Sequence, residues 1–193
     1  MAQRRGQVVP LRSAGRKLAL PLRVLVVSGP NLALLGSREP EIYGTTTLES
    51  IHLRLTQVAR DHDTTLDTRQ SNHEGDLVTW VGEAGVNNFH GVVLNPGAYT
   101  HTSIALLDAI KAAGLPVIEV HLSNPESRER FRRKSYVARA CVGRVAGFGG
   151  QSYELGLLGL ISHLRQAPLP PRSASVRPLP TAKRRSPLGP RKP

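Results

Sequence analysis

From residue 23 onward the chain switches repeatedly between two hydrophobic periods. Residues 23–28 (Arg-Val-Leu-Val-Val-Ser) form a nearly unbroken apolar, valine-rich run, the pattern of a strand buried on both faces. Thr46 and Glu49 stand at capping-box spacing, and a helical pattern follows to about Arg60. Residues 64–69 read as a weaker strand at an edge. Ser71 and Glu74 repeat the capping-box spacing and predict a helix from about Gly75 to Ala84. Residues 91–95 form a third strand. Thr100 to Ala113 reads as a helix stopped by Gly114 and Pro116, and residues 117–121 (Val-Ile-Glu-Val-His) as a fourth strand. Residues 132–138 suggest a short helix, residues 141–146 a fifth strand, and Gln151 to Leu164 a closing helix.

Strands alternating with helices at these lengths imply a parallel sheet covered by helices on both faces. Five strands suggest the order 2-1-3-4-5, an α/β, flavodoxin-like three-layer fold. Ligands of such sheets bind beyond the carboxyl ends of the strands, where strands 1 and 3 diverge.

Charge changes the picture of the ends but not of the middle. The chain of 193 residues carries 26 Lys+Arg against 14 Asp+Glu, a formal net charge of +12. Residues 1–22 hold five basic residues and no acid, and residues 166–193 hold seven and no acid. The remaining 14 basic residues match all 14 acids within residues 23–165. A neutral middle is thus expected to be one domain (23–165), flanked by a basic, disordered extension (1–22) and a Pro/Arg-rich, disordered tail (166–193). Nucleic-acid binding by these tails is the weaker reading of the excess charge. No apolar run approaches the roughly 20 residues of a membrane span, and a cytoplasmic location is expected. Cys141 is the one cysteine, which excludes an internal disulfide and reads as a small buried apolar residue.

The candidate chemistry gathers at three strand ends. Strand 1 runs into Gly29-Pro30-Asn31-Leu32, strand 3 into Asn95-Pro96-Gly97-Ala98-Tyr99-Thr100-His101, and strand 4 through Glu119 and His121 into Ser123-Asn124. Asn31, Asn95 and His101 are either turn caps or ligand groups. Glu119 and His121 share one face of a strand and are either a mutual structural pair or a site, since unpaired buried charge is costly. Arg38 and Tyr43 lie in a polar loop between Gly36 and Gly44. They are either surface residues or a base pair of another sort: a tyrosine, with an ordinary pKa of about 10, is a weak base at neutral pH unless an adjacent guanidinium favours the phenolate. Arg128, Arg130, Arg132 and Arg133 are either a solvated face or the source of a bidentate clamp on a carboxylate.

At these residues the sequence resembles type II 3-dehydroquinate dehydratase of the shikimate pathway. The matching stretches are Gly29-Pro30-Asn31-Leu32, Arg38-Glu39-Pro40 to Tyr43-Gly44, Gln70-Ser71-Asn72-His73-Glu74-Gly75, Asn95 to Ser103, Glu119 to Asn124 with Arg128-Glu129 and Phe131-Arg132, and Gly147-Phe148-Gly149 with Tyr153. They cover about residues 22–164. The resemblance implies dehydration of 3-dehydroquinate to 3-dehydroshikimate by anti elimination through an enolate, with no cofactor and no metal. It implies Tyr43 as the base, Arg38 as the residue that lowers its pKa, and Asn31 as the group that orients a water against the enolate oxygen. His121 would be the general acid, tuned by Glu119. Asn95, His101, Ser123, the Leu122 backbone and Arg132 would hold substrate hydroxyls and carboxylate. Asp108 would serve the adjacent subunit, in trimers that assemble to a dodecamer. The reaction serves aromatic (chorismate) biosynthesis or quinate catabolism alike.

Some positions depart from the family pattern. Ser28 stands where Asn is common, Ala33 where Asn or Gly often follows, and Pro125-Glu126 and Lys134 where His is frequent. The competing reading from another class is a flavodoxin-like module that binds a small or phosphate-bearing ligand at the Gly29 loop without catalysis. That loop lacks the Gly/Ser/Thr richness that cradles phosphate.

Overall fold

The valine-rich runs form the centre of a three-layer α/β sandwich. The computed structural model describes residues 21–36 and 46–166. Five parallel strands, β1 (Leu22–Ser28), β2 (Thr64–Gln70), β3 (Gly91–Asn95), β4 (Val117–His121) and β5 (Gly143–Ala146), pair in the order β2-β1-β3-β4-β5. This is the expected order, and the register sets Ser28 beside Asn95 and Glu119 beside Arg144.

Alternate side chains of the strands feed two cores, one on each face of the sheet. Helices α1 (Leu48–Asp61) and α4 (Gln151–Gln166) cover Val24, Val26, Val93, Ile118 and Val120. Helices α2 (Glu74–Gly82) and α3 (Ile104–Ala113) cover Leu25, Val27, Val92, Leu94 and Val117. Each fully buried side chain of this size contributes roughly 1.5–3 kcal/mol relative to exposure. β3 is buried along its whole length, while β2 at the edge is only partly covered.

Three expectations shift at helix ends, each for a local reason. The cap of α1 is Thr47 rather than Thr46, its side chain accepting from the Ser50 N–H at 3.1 Å. The Ser71/Glu74 box does not form: Ser71 Oγ accepts from the His73 N–H at 3.0 Å and donates to Asp76 at 2.5 Å, so it fixes the approach to α2 from outside the helix. The helix expected from Thr100 starts at Ile104, because Ser103 takes the cap position and accepts from the Leu106 N–H at 2.8 Å. Residues Gly97–His101 form a separate 3₁₀ turn before it. The short helix expected at 132–138 is replaced by 3₁₀ turns at Arg130–Arg132 and Val137–Ala140. Lacking a sustained apolar period, that stretch has no face to bury as a longer helix. Of the two expected disordered ends, residues 1–20 and 167–193 lie outside the described residues, as does the polar loop with Arg38 and Tyr43; Leu22 instead begins β1 and Gln166 ends α4, so the folded unit extends one residue further at each end than expected.

Helix α4 crosses the sheet through Gly156, where a Cβ would stand 2.5 Å from Val120 Cγ1. Gly156→Ala forces the helix off β4 and is expected to destabilise the fold by about 1–3 kcal/mol. A lowered midpoint in urea unfolding with an unchanged slope checks this.

Candidate active site

The end of β1 and the end of β3 are locked together before any side chain reaches the crevice. The Gly29 N–H donates to the Asn95 carbonyl at 2.8 Å. A Cβ on Gly29 would stand 2.6 Å from the Pro96 carbonyl oxygen, so only glycine lets the two turns approach this closely. With its N–H committed, Gly29 offers no amide to a phosphate. Asn31 follows in a left-handed conformation, φ 65°, its N–H held by Asn72 Oδ1 at 2.9 Å.

Beyond these turns lies a cavity of about 320 Å³ lined by Asn31, Asn95, His101, His121, Ser123 and Arg132, among others. Leu122 lines it as well, and its carbonyl accepts the Gly149 N–H at 3.0 Å. The structure thus brings seven of the expected residues to one cavity. Glu119 lies beneath them. Asp108 is exposed on α3 and does not line the cavity. Arg38 and Tyr43 lie outside the described residues.

Glu119 is wholly buried, at 0% exposure. It accepts from His121 Nε2 at 2.6 Å, from Ser135 Oγ at 3.1 Å, and from the Thr100 hydroxyl. Burial works to raise its pKa. The hydrogen bond and charge of His121, the Thr100 hydroxyl and the charge of Arg144 outweigh burial and hold the carboxyl below its usual range. An ionised carboxylate only accepts, so Nε2 of His121 carries a proton. Its other nitrogen, Nδ1, is left for the cavity. Among the described residues, two nitrogens of the neighbouring Arg144 guanidinium, Nε and Nη2, are buried without an acceptor. Arg144 therefore acts on Glu119 through its charge.

His101 is oriented by the same proton counting. Its Nδ1 lies 2.8 Å from the Lys134 carbonyl. A carbonyl only accepts, so Nδ1 bears the hydrogen and Nε2 of the neutral ring is an acceptor for a ligand hydroxyl. Arg132 Nε donates to Glu129 at 3.0 Å, and its guanidinium lies 5.0 Å from the Phe131 ring centre. Both contacts aim a cation at the cavity rim.

Thr100 and Ser135 were not among the expected site residues. Thr100 falls within a quoted motif but in a 3₁₀ turn whose inward face is not periodic. Ser135 sits in a basic stretch with no pattern at all. The signal available was Glu119 itself: a carboxylate in a fully buried strand demands donors from elsewhere in the chain. Ser135 also accepts the Ala138 N–H at 2.8 Å, so it anchors the turn as well as the carboxylate.

The chain matches the family model for dehydroquinase class II over residues 22–161. It belongs to the class II dehydroquinase family. A 3-dehydroquinate dehydratase of Geotalea daltonii is 49% identical over 145 residues, covering 75% of this chain and 100% of that protein. One from a Nostoc species is 52% identical over 145 residues, covering 75% and 98%. The crystal structure of type II dehydroquinase from Propionibacterium acnes superposes with a TM-score of 0.70 at 40% identity, covering 74% of this chain and 98% of that one. The dehydroquinase match thus covers the neutral middle of the chain, where the five strands lie. Among the described residues no cluster of three His, Cys, Asp or Glu side chains is placed to hold a metal, and no helix is long and apolar enough to cross a membrane.

Removing one donor from Glu119 tests this description. Thr100→Val keeps the volume and is expected to cost about 1.5–3 kcal/mol at neutral pH, the range for a hydrogen bond to a charged group. Because the folded Glu119 titrates below its ordinary value of 4.5, the stability it contributes is present above that value and lost as pH falls through the folded pKa. The variant raises the folded pKa. Its acid-side loss of Tm should therefore begin at higher pH than in the parent, a shift that thermal melts across an acid pH series read directly.

Proposed function

We propose that this dehydroquinase dehydrates 3-dehydroquinate to 3-dehydroshikimate, the shikimate-pathway step, by anti elimination through an enolate. The observation that carries the reading is the buried Glu119–His121 pair, whose imidazole lines a cavity of about 320 Å³. Family membership supplies the substrate class.

In this mechanism Tyr43, as a phenolate favoured by the charge of Arg38, takes the C2 proton alpha to the ketone. The electron pair moves into an enolate, whose oxygen is stabilised by a water oriented by Asn31, a donor set in advance where charge develops. The C1–O bond then breaks. His121, paired in its charged form with Glu119, gives its Nδ1 proton to the departing hydroxyl, which leaves as water. The C1=C2 double bond forms as the ketone is restored. Solvent returns Tyr43 and His121 to their starting protonation states. Anti geometry needs base and acid on opposite faces of the ring. His121 takes the floor, and Tyr43 belongs to the segment that follows the lining residue Leu35. Asn95, Ser123, the Leu122 backbone and the Nε2 of His101 hold hydroxyls, and Arg132 receives the carboxylate in place of Glu129.

Tyr43→Phe and His121→Asn should each lower kcat by about 10²–10⁴-fold, the span for loss of a general base or acid. Enone absorbance on addition of 3-dehydroquinate follows the reaction. Near-normal turnover by Tyr43→Phe overturns the base assignment, and no turnover by folded parent protein overturns the reading as a whole.

The same reading gives Asp108 a role in the adjacent subunit of a trimer that assembles further to a dodecamer. Its exposure on α3, away from its own cavity, supports this. Light scattering should report an assembly of trimers; a monomer that is fully active contradicts the role.

A further inference from the structure

We infer that Tyr153 is a positioning residue for the substrate-binding end of the cavity: its hydroxyl braces the last side chain of β1 against the last side chain of β3 and so fixes the Asn95 carboxamide. The inference rests on the reading of Asn95 as a substrate-binding residue. Tyr153 sits on the first turn of α4, under the sheet, with 0% exposure. Its hydroxyl lies 2.8 Å from Ser28 Oγ, and Ser28 too is at 0% exposure. Ser28 is the register partner of Asn95, which is itself 2% exposed at the cavity wall.

The carboxamide has one orientation. The Gly97 N–H donates to Asn95 Oδ1 at 3.2 Å, and a backbone N–H cannot accept, so Oδ1 faces Gly97 and Nδ2 faces away. The Tyr153 hydroxyl interacts with the side chains of both Ser28 and Asn95. Burial, against these two contacts, pushes the phenol up to about 12, so it stays neutral, able to accept one hydrogen bond and donate another. It then takes one Nδ2 hydrogen, leaving the second for a ligand hydroxyl. Among the described residues no other side chain holds that end of the amide. An amide left to pivot spends part of its time unable to meet the ligand, which weakens binding in ground state and transition state alike.

Steady-state kinetics on 3-dehydroquinate, with thermal melts, test this on four variants: Tyr153→Phe, Asn95→Ala, the double variant and Ser28→Ala. Tyr153→Phe keeps the ring in the core. It is expected to raise KM about three- to tenfold with kcat changed by no more than about twofold, the mark of lost uniform binding. Asn95→Ala should raise KM at least as much, and the double variant no further, because Tyr153 acts through Asn95. A lowered Tm with unchanged KM in Tyr153→Phe makes the hydroxyl a matter of stability alone and overturns the proposal while the Asn95 assignment stands. Effects that add in the double variant overturn it too. An unchanged KM in Asn95→Ala overturns both the proposal and the assignment beneath it. Should Tyr153→Phe fail to fold, Ser28→Ala decides: a raised KM supports the brace, and an unchanged KM refutes it.

Discussion

Glu119 is ionised at the centre of a sheet, with no contact to water. Isolated burial of a carboxylate is among the most expensive acts in a folded chain, and much of the site's architecture follows from supplying what water would have supplied. Thr100 reaches it from the turn after β3, Ser135 from the loop after β4, Arg144 from β5, and His121 from two residues along its own strand. Four pieces of chain are thereby referred to one carboxyl group. Its demand for donors also fixes which nitrogen of His121 is turned to the carboxylate and which is left for the cavity.

A second locking point works by shape rather than charge. Gly29 and Pro96 approach so closely that the turns after β1 and β3 form one packed unit. Asn31 and Asn95 project from that unit. The cavity is therefore held on one side by a backbone contact and on the other by a satisfied charge, while its rim carries the half-exposed Arg132–Glu129 pair.

Strand positions, sheet order and the strand-end residues were readable from the sequence because each is written locally. Val24 to Val27 can hardly be anything but a buried strand, and polar residues at strand ends have one place to go in an open parallel sheet. Helix starts were less readable. Ser71 and Thr46 satisfy a capping spacing, yet Thr47 and Asp76 are the partners that win, and the difference is a rotamer and a neighbour. Thr100, Ser135 and Tyr153 were invisible as parts of the site for a different reason. Their partners lie 19, 16 and 125 residues away, and no local pattern announces a hydroxyl that serves a distant carboxylate or a distant hydroxyl.

That last separation bears on how the protein is made. During synthesis every strand of the sheet, through Ala146, leaves the ribosome before α4 does. Until residues 151–166 emerge, one face of the sheet stands half uncovered, with Val93, Ile118 and Val120 lacking the helix that packs on them. The Ser28–Tyr153 contact joins nearly the first described residues to nearly the last. A nascent chain thus carries all the expected substrate-binding side chains of the cavity while still exposing apolar surface of the kind that chaperones and misassembly compete for.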